Sequence, residues 1–382
     1  MEGENFSNGF ILCENGKITA IGDMAECPAV DYEFTVIDAD GKSVYPGLVD
    51  PHCHIGMLED GVAEEGEDLN EDTDPVTPHL RAADGLYLMD KTFNEALKAG
   101  VTTCVTGPGS TNVICGTFAA VKTDNSDIFQ MIIKENIAMK FAFGQNPKFT
   151  YGDKKLAPAT RMAGVSMIRE ALNESKEYSR KLSEYEKDSE NKDKPDYDIK
   201  KEALLDVVNG KMPVKSHAHR SDDIVSAIKM AREFGFTVTV EHCTEGHLIV
   251  DYLAAENAGV IYGPILCERS KTELKNHDAR TPGILSKAGV RTALMTDHPC
   301  VPVQYLPLCA IIAVKNGMDC QSALKAITIT AAELAGISDR VGSLKKGKDA
   351  DIIITDGDIL NFNTNILYTI VNGKIAYEQN DL

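Results

Sequence analysis

Eight strand-like runs, starting near residues 47, 101, 114, 138, 212, 236, 259 and 291, recur along the middle of this chain, with helix-like runs between most of them. Alternating β and α runs mark a parallel sheet with helical crossovers, and eight such strands over about 250 residues are what a (β/α)8 TIM barrel needs. Asp90 to Gly100 places Phe93, Ala96 and Leu97 on one helical face and stops at a glycine, after which Val101-Thr102-Thr103-Cys104-Val105 reads as a strand. Ser221 to Gly235 repeats the arrangement, with Ser221 as N-cap and Ile224, Ala227, Ile228 and Ala231 as the buried stripe. Val113 to Val121 reads equally well as a strand or as a loop.

The ends of the chain have a different texture. Asn15-Gly16 and Asn372-Gly373 each sit between short apolar runs, a hairpin signal. We therefore expect residues 1–47 and 341–382 to assemble a small composite β-sandwich beside a barrel spanning 48–340. A densely charged stretch near 170–203, broken at Asp193-Lys194-Pro195-Asp196, reads as a solvated helical insertion, with a binding role as the alternative.

Composition limits the partners. With 39 Lys plus Arg against 58 Asp plus Glu, the net charge of -19 repels nucleic acid and anionic membrane surfaces. No run of about 18 apolar residues appears, and the N-terminus lacks a basic and apolar leader, so neither membrane spanning nor secretion is expected. Ten cysteines without a regular framework suit a reducing cytoplasm.

The chemistry concentrates at predicted strand ends. His52 and His54 close the first strand at i, i+2, so both imidazoles leave one face while Cys53 leaves the other, although a pair alone could equally be polar capping at a sheet edge. The fourth strand carries Lys140 inside an apolar run. The fifth ends at His217-Ala218-His219, the sixth at Glu241-His242, and the eighth at Asp297-His298. Six of the nine histidines thus collect where a barrel gathers its catalytic groups. Neutral imidazoles with one carboxylate suit Zn2+ best, with Mn2+, Fe2+ or Ni2+ as alternatives, and such a centre is built for hydrolysis.

These residues resemble the amidohydrolase superfamily, nearest its imidazolonepropionase-like and prolidase-like branch. The likeness rests on Asn15 to Gly22, on Pro46-Gly47-Leu48-Val49-Asp50-Pro51-His52-Cys53-His54, on Thr296-Asp297, and on Val341 to Asp351. The resemblance implies a (β/α)8 barrel with a terminal β-sandwich. It implies His52, His54, His217 and Asp297 as metal ligands, Asp297 also as general base, and His242 as a second-metal ligand or as the group that polarises the carbonyl. In binuclear relatives a carboxylated fourth-strand lysine bridges two metals, so Lys140 is either that bridge or an amine paired with a carboxylate or reaching the rim. A glutamate that deaminase members carry shortly after the fifth-strand histidine is replaced here by His219 and Arg220. Relatives usually have one further strand before the segment where this chain begins, and a second subunit could cover the resulting sheet edge.

The expected activity is hydrolysis of a C–N amide bond in a small dipeptide-like, N-acyl amino acid or cyclic amide substrate, with one or two zinc ions, in a cytoplasmic homo-oligomer. A mononuclear imidazolonepropionase-like or deaminase activity is the alternative, and a metal-free scaffold the remote one. His219, Arg220, Arg269 and Arg280 are candidate substrate contacts, the two last alternatively being solvated loop charges.

Overall fold

The computed structural model describes residues 2–3, 5–29, 34–62 and 64–379. Fourteen strands are found among them: β1 (Gly9–Glu14), β2 (Lys17–Asp23), β3 (Ser43–Pro46), β4 (Leu48–Cys53), β5 (Val101–Thr106), β6 (Ile114–Lys122), β7 (Ile132–Ala142), β8 (Val214–Ala218), β9 (Val238–His242), β10 (Gly259–Tyr262), β11 (Arg291–Leu294), β12 (Ile352–Thr355), β13 (Ile366–Val371) and β14 (Lys374–Glu378). Strands β4 to β11 form one eight-stranded sheet in unbroken sequence order. The sheet nearly closes, because Asp297 N–H donates to the His52 carbonyl at 3.2 Å and His54 N–H to the His298 carbonyl at 2.9 Å.

All eight expected strands are present, but the barrel is not uniformly parallel. β6 is a fully buried strand, which resolves the ambiguity at Val113 to Val121, and it runs antiparallel to both β5 and β7. The connections on either side, residues 107–113 and 123–131, are shorter than the roughly dozen residues a parallel crossover requires. The chain from Val101 to Ala142 is therefore a meander without an α-helix, and the regular β/α alternation holds only outside it.

Alternation along each strand sorts side chains into two cores. Leu48, Cys104, Met139, Val214, Val240 and Leu294 pack under the surrounding helices. Val49, Val105, Phe118, Ile261, Ala293 and Met295 point to the other side, where Ala331, Ala332 and Ile337 join them. The helix Thr92–Lys98 buries Phe93, Ala96 and Leu97 as its spacing predicts. The helix Ser221–Phe234 likewise buries Ile224, Ala227, Ile228 and Ala231 and stops at Gly235 in the left-handed conformation. Its N-cap is Arg220 rather than Ser221, whose hydroxyl and N–H both reach the Glu245 carboxylate instead.

The charged insertion begins earlier than its composition suggests. The helix Arg161–Lys187, capped by the Thr160 hydroxyl, buries Ile168, Leu172, Ser175 and Tyr178 along one stripe, so it is partly core. Its outer face carries Arg180 paired with Glu177 and Glu184.

The terminal strands form two sheets, the antiparallel pair β1·β2 and a four-stranded sheet in the order β14-β13-β12-β3. Both expected hairpin turns are present, with Asn15, Gly16, Asn372 and Gly373 all at positive φ. The parts of the two terminal segments at residues 1, 4, 30–33 and 380–382 lie outside the described residues. A buried ion cluster ties the barrel to the C-terminal segment: Lys122 at the end of β6 lies 3.0 Å from Asp349 and also pairs with Asp351, while Lys17 and Arg340 reach Asp349. Removing the shared ammonium leaves buried carboxylates underpaired, which costs about 3 kcal/mol or more. Lys122→Met should therefore lower stability by at least that amount in chemical denaturation; an unchanged midpoint and slope would show that Lys17 and Arg340 suffice.

Candidate metal centre

The polar side chains of the strand ends converge, and burial is nearly complete: His52 and Lys140 are 0% exposed, His217 2%, His219 and His242 3%, His54 6% and Asp297 8%. β4 supplies His52, with His54 just beyond it. β7 supplies Lys140, β8 supplies His217 with His219 one residue past its end, β9 supplies His242, and Asp297 follows β11. Phe118 of the antiparallel β6 provides an apolar wall, with its ring 5.0 Å from that of His52 and 5.3 Å from the Lys140 ammonium.

Each imidazole but one is oriented through Nδ1. That of His52 faces Glu241 Oε2 at 2.6 Å, that of His54 the Gly107 carbonyl at 2.7 Å, that of His242 the Gly263 carbonyl at 2.9 Å, and that of His219 the Thr244 hydroxyl at 2.8 Å. A nitrogen facing a carbonyl or carboxylate must carry the proton, so Nε2 of His52 and His242 presents a lone pair to the centre. Gly107 is needed for its part, because a Cβ there would lie 2.5 Å from the Phe118 ring.

Backbone strain sets the remaining directions. His242, Cys243 and Asp297 all adopt positive φ, which non-glycine residues rarely do. Neighbours on a regular strand face opposite ways, yet Glu241 and His242 both serve this site, since the turn in the chain at His242 re-aims its ring.

Burial pushes His52, His217 and His219 well below the ordinary imidazole value, with neighbouring cationic or imidazole groups adding to it, and takes His242 down to about 4. All four are neutral near pH 7. Burial opposes ionisation of Asp297, but His242 and His54 outweigh it and hold the carboxyl well below its usual range. Burial also brings Lys140 down to about 8, and its ammonium lies 3.1 Å from His52 Nε2.

Two sets of side chains bring ligand atoms within 4.8 Å of one another: His217, His219 and His242, and His52, His242 and Asp297. Asp297 Oδ1 is 3.4 Å from His54 Nε2 and 3.7 Å from His52 Nε2. Both ring nitrogens of His217 and Nε2 of His219 are buried without a hydrogen-bond partner among the described residues. An unpartnered buried polar atom costs about 1–3 kcal/mol, and inward lone pairs beside an ionised carboxylate are what a divalent cation satisfies. The residues fit a metal.

The sequence profile of the amidohydrolase family matches residues 43–376. The chain belongs to the amidohydrolase family. A crystal structure of an amidohydrolase from Thermotoga maritima is 36% identical and superposes with a TM-score of 0.92, covering 97% of this chain and 95% of that one. Amidohydrolase tasK of Hapsidospora irregularis is 25% identical over 97% of this chain, which spans only 40% of that protein's length. An imidazolonepropionase of Fusobacterium nucleatum is 25% identical over 98% of this chain and 92% of its own. A Xaa-Pro dipeptidase structure, 17% identical with a TM-score of 0.54 over 97% of this chain and 95% of that one, shares the fold.

Each candidate arginine is engaged by one of the chain's own groups. Arg220 pairs with Asp222, Arg280 with Asp278, and Arg269 donates to the His277 carbonyl. Three further groups have no role assigned from the sequence. Glu241 links His52 to Lys215, which it meets at 3.0 Å. Asp50 accepts from Thr296 N–H at 3.3 Å and from its hydroxyl at 2.5 Å, and burial raises it to about 7. Glu273, on a single 3-10 turn after β10, reaches to 3.7 Å from His219 Nε2. Glu241 could have been found from its place at a strand end; the other two carry no local signal.

His242 and His298, both pushed down to about 4 mainly by burial, bind protons less readily folded than unfolded. Stability is therefore full above the ordinary value of 6.5 and is lost as pH falls from there through about 4. Denaturant titrations of metal-free protein between neutral pH and about pH 4 should show this decline, and a flat profile would contradict neutral burial.

Proposed function

We propose that this protein is a metal-dependent hydrolase that cleaves the C–N amide bond of a small dipeptide-like, N-acyl amino acid or cyclic amide substrate. The observation that carries this reading is the convergence of inward-facing, neutral imidazoles on the ionised Asp297 carboxylate at the end of the barrel. His52, His54, His217, His242 and Asp297 would hold one or two ions, and the nitrogen-rich donor set favours zinc. When bound, such an ion polarises a carbonyl and makes water acidic enough to ionise near neutral pH.

The chain's own groups then have separate tasks. Asp297, already ionised, accepts the proton of the attacking water on a carboxylate oxygen and delivers it to the departing nitrogen. His242, with Nδ1–H committed to Gly263, offers only an acceptor at Nε2, which favours a ligand role over donation to the carbonyl oxygen. Phe118 and the surrounding apolar core exclude bulk water from the reacting groups. The similarity to an imidazolonepropionase along nearly the whole chain supports a cyclic amide as one substrate class and makes an imidazolonepropionase-like or deaminase reaction at a single ion the alternative.

Asp297→Asn, checked to retain its metal by elemental analysis, should lose at least about a hundredfold in kcat against a confirmed amide. Undiminished turnover would exclude Asp297 as the base. Chelation should abolish turnover and zinc restore it; activity that survives complete metal removal would sink the metal-dependent reading.

Lys140 enters this proposal as a bridging carbamate, in which its unprotonated amine adds CO2 and releases a proton. Its burial, which brings it down to about 8, raises the fraction of the neutral amine this needs. Metal-loaded protein in 13C-bicarbonate should show a carbamate carbon in its NMR spectrum, and two bound ions without that signal would remove Lys140 from the ligand set. We also propose that β1·β2 and the four-stranded sheet form one composite sandwich over 1–47 and 341–382, supported by the backbone hydrogen bond from Ile18 to Lys348. Limited proteolysis that released either terminal segment from a folded remainder would count against it.

A further inference from the structure

Glu273 is 1% exposed, yet its Oε1 has no hydrogen-bond partner among the described residues. It faces His219 Nε2 at 3.7 Å and His217 Nε2 at 4.0 Å, two nitrogens that are equally unpartnered. These separations exceed hydrogen-bond reach, so the atoms do not satisfy one another. They are close to the spacing of about 3.3–3.5 Å between donors that share one four-coordinate ion at bonds of about 2.0–2.2 Å.

The carboxylate is held in place from behind. Its Oε2 accepts the Gln145 N–H at 3.1 Å, and Arg161, bound to Asp223 at 2.9 Å, stands 3.9 Å from the same oxygen. Gly144 makes room, because a Cβ there would lie 2.7 Å from Asp223 Oδ2 and 3.0 Å from Glu273 Oε2. Lys271 is the other cation nearby, at 4.0 Å from Oε1, but its ammonium donates to Asn146 Oδ1 at 3.0 Å. The oxygen that stays free is the one turned toward the imidazoles.

We propose that Glu273 is a metal ligand, the fourth donor of a site whose other three are His217, His219 and His242. His219 and His242 each have Nδ1 engaged, by Thr244 and by Gly263, which directs Nε2 to the ion. Three imidazoles and one carboxylate give this ion four donors of the kinds a zinc site uses, and three of them are separate from the donors His52, His54 and Asp297. The ligation also fastens the loop between β10 and β11 to the barrel, because Glu273 is its only contribution to the set. The inference deepens the hydrolase reading by assigning this ion's ligands, and it stands on the unpartnered atoms whether or not an amide is turned over.

The test is zinc loading of metal-free full-length protein, read by elemental analysis and by hydrogen exchange of residues 264–280. Wild type should bind the ion with slowed exchange in this loop. Glu273→Gln should retain that ion at least tenfold more weakly and lose the slowing, while Asp297→Asn should leave the slowing intact. Equal metal retention in Glu273→Gln, or loop exchange in wild type that is indifferent to zinc, overturns the proposal. If metal-free Glu273→Gln does not fold, His219→Asn and the wild-type exchange measurement decide in the same way. Zinc ligation through Glu273 without any amide hydrolysis would sink the proposed activity alone; hydrolysis with unaltered zinc retention in Glu273→Gln would sink this assignment alone.

Discussion

The contact between His52 Nδ1 and Glu241 Oε2, at 2.6 Å and fully buried, is the interaction on which the rest of this centre depends. It fixes the tautomer of the first-strand histidine, and Glu241 in turn meets Lys215, whose ammonium also donates to the Pro51 carbonyl. Strands β4, β8 and β9 are thereby cross-linked inside the barrel through charged groups. Such an arrangement is costly to bury and holds only when every partner is present. It gives the interior a fixed polar floor against which the outer imidazoles are aimed.

The antiparallel β6 has a similar consequence for the site. A parallel third strand would have ended on the same face as the ligands; this one ends on the opposite face, where Lys122 joins Asp349 and Asp351. The middle of the strand is left to contribute Phe118, which lies against His52, His54, Lys140 and Lys215. One reversed strand thus serves two ends of the barrel: an apolar wall for the metal centre and an ionic tie to the C-terminal segment.

The two sets of potential ligands share His242, whose positive φ places it between them and whose single inward nitrogen can bind one ion at a time. Around it the electrostatics are consistent. Histidines that burial keeps neutral stand beside a carboxylate that is ionised at neutral pH, so the donors are ready for a cation without prior proton loss.

The sequence by itself determined seven of the eight strands, with Val113 to Val121 left open, the order of the chemistry along them, and the presence of His52, His54, Lys140, His217, His242 and Asp297 at or beside strand ends. These are local properties: period-two alternation, helical periodicity, glycine stops and histidines at strand termini are all written within a few residues. Only the tertiary structure decided the direction of β6, the inward turn of His219, the use of Glu241 beside His242, and the approach of Glu273. Strand direction depends on connection length weighed against pairing partners far away in the chain. The aim of a side chain at a strand end depends on a φ angle imposed by packing, and a carboxylate arriving from an irregular loop leaves no period to read.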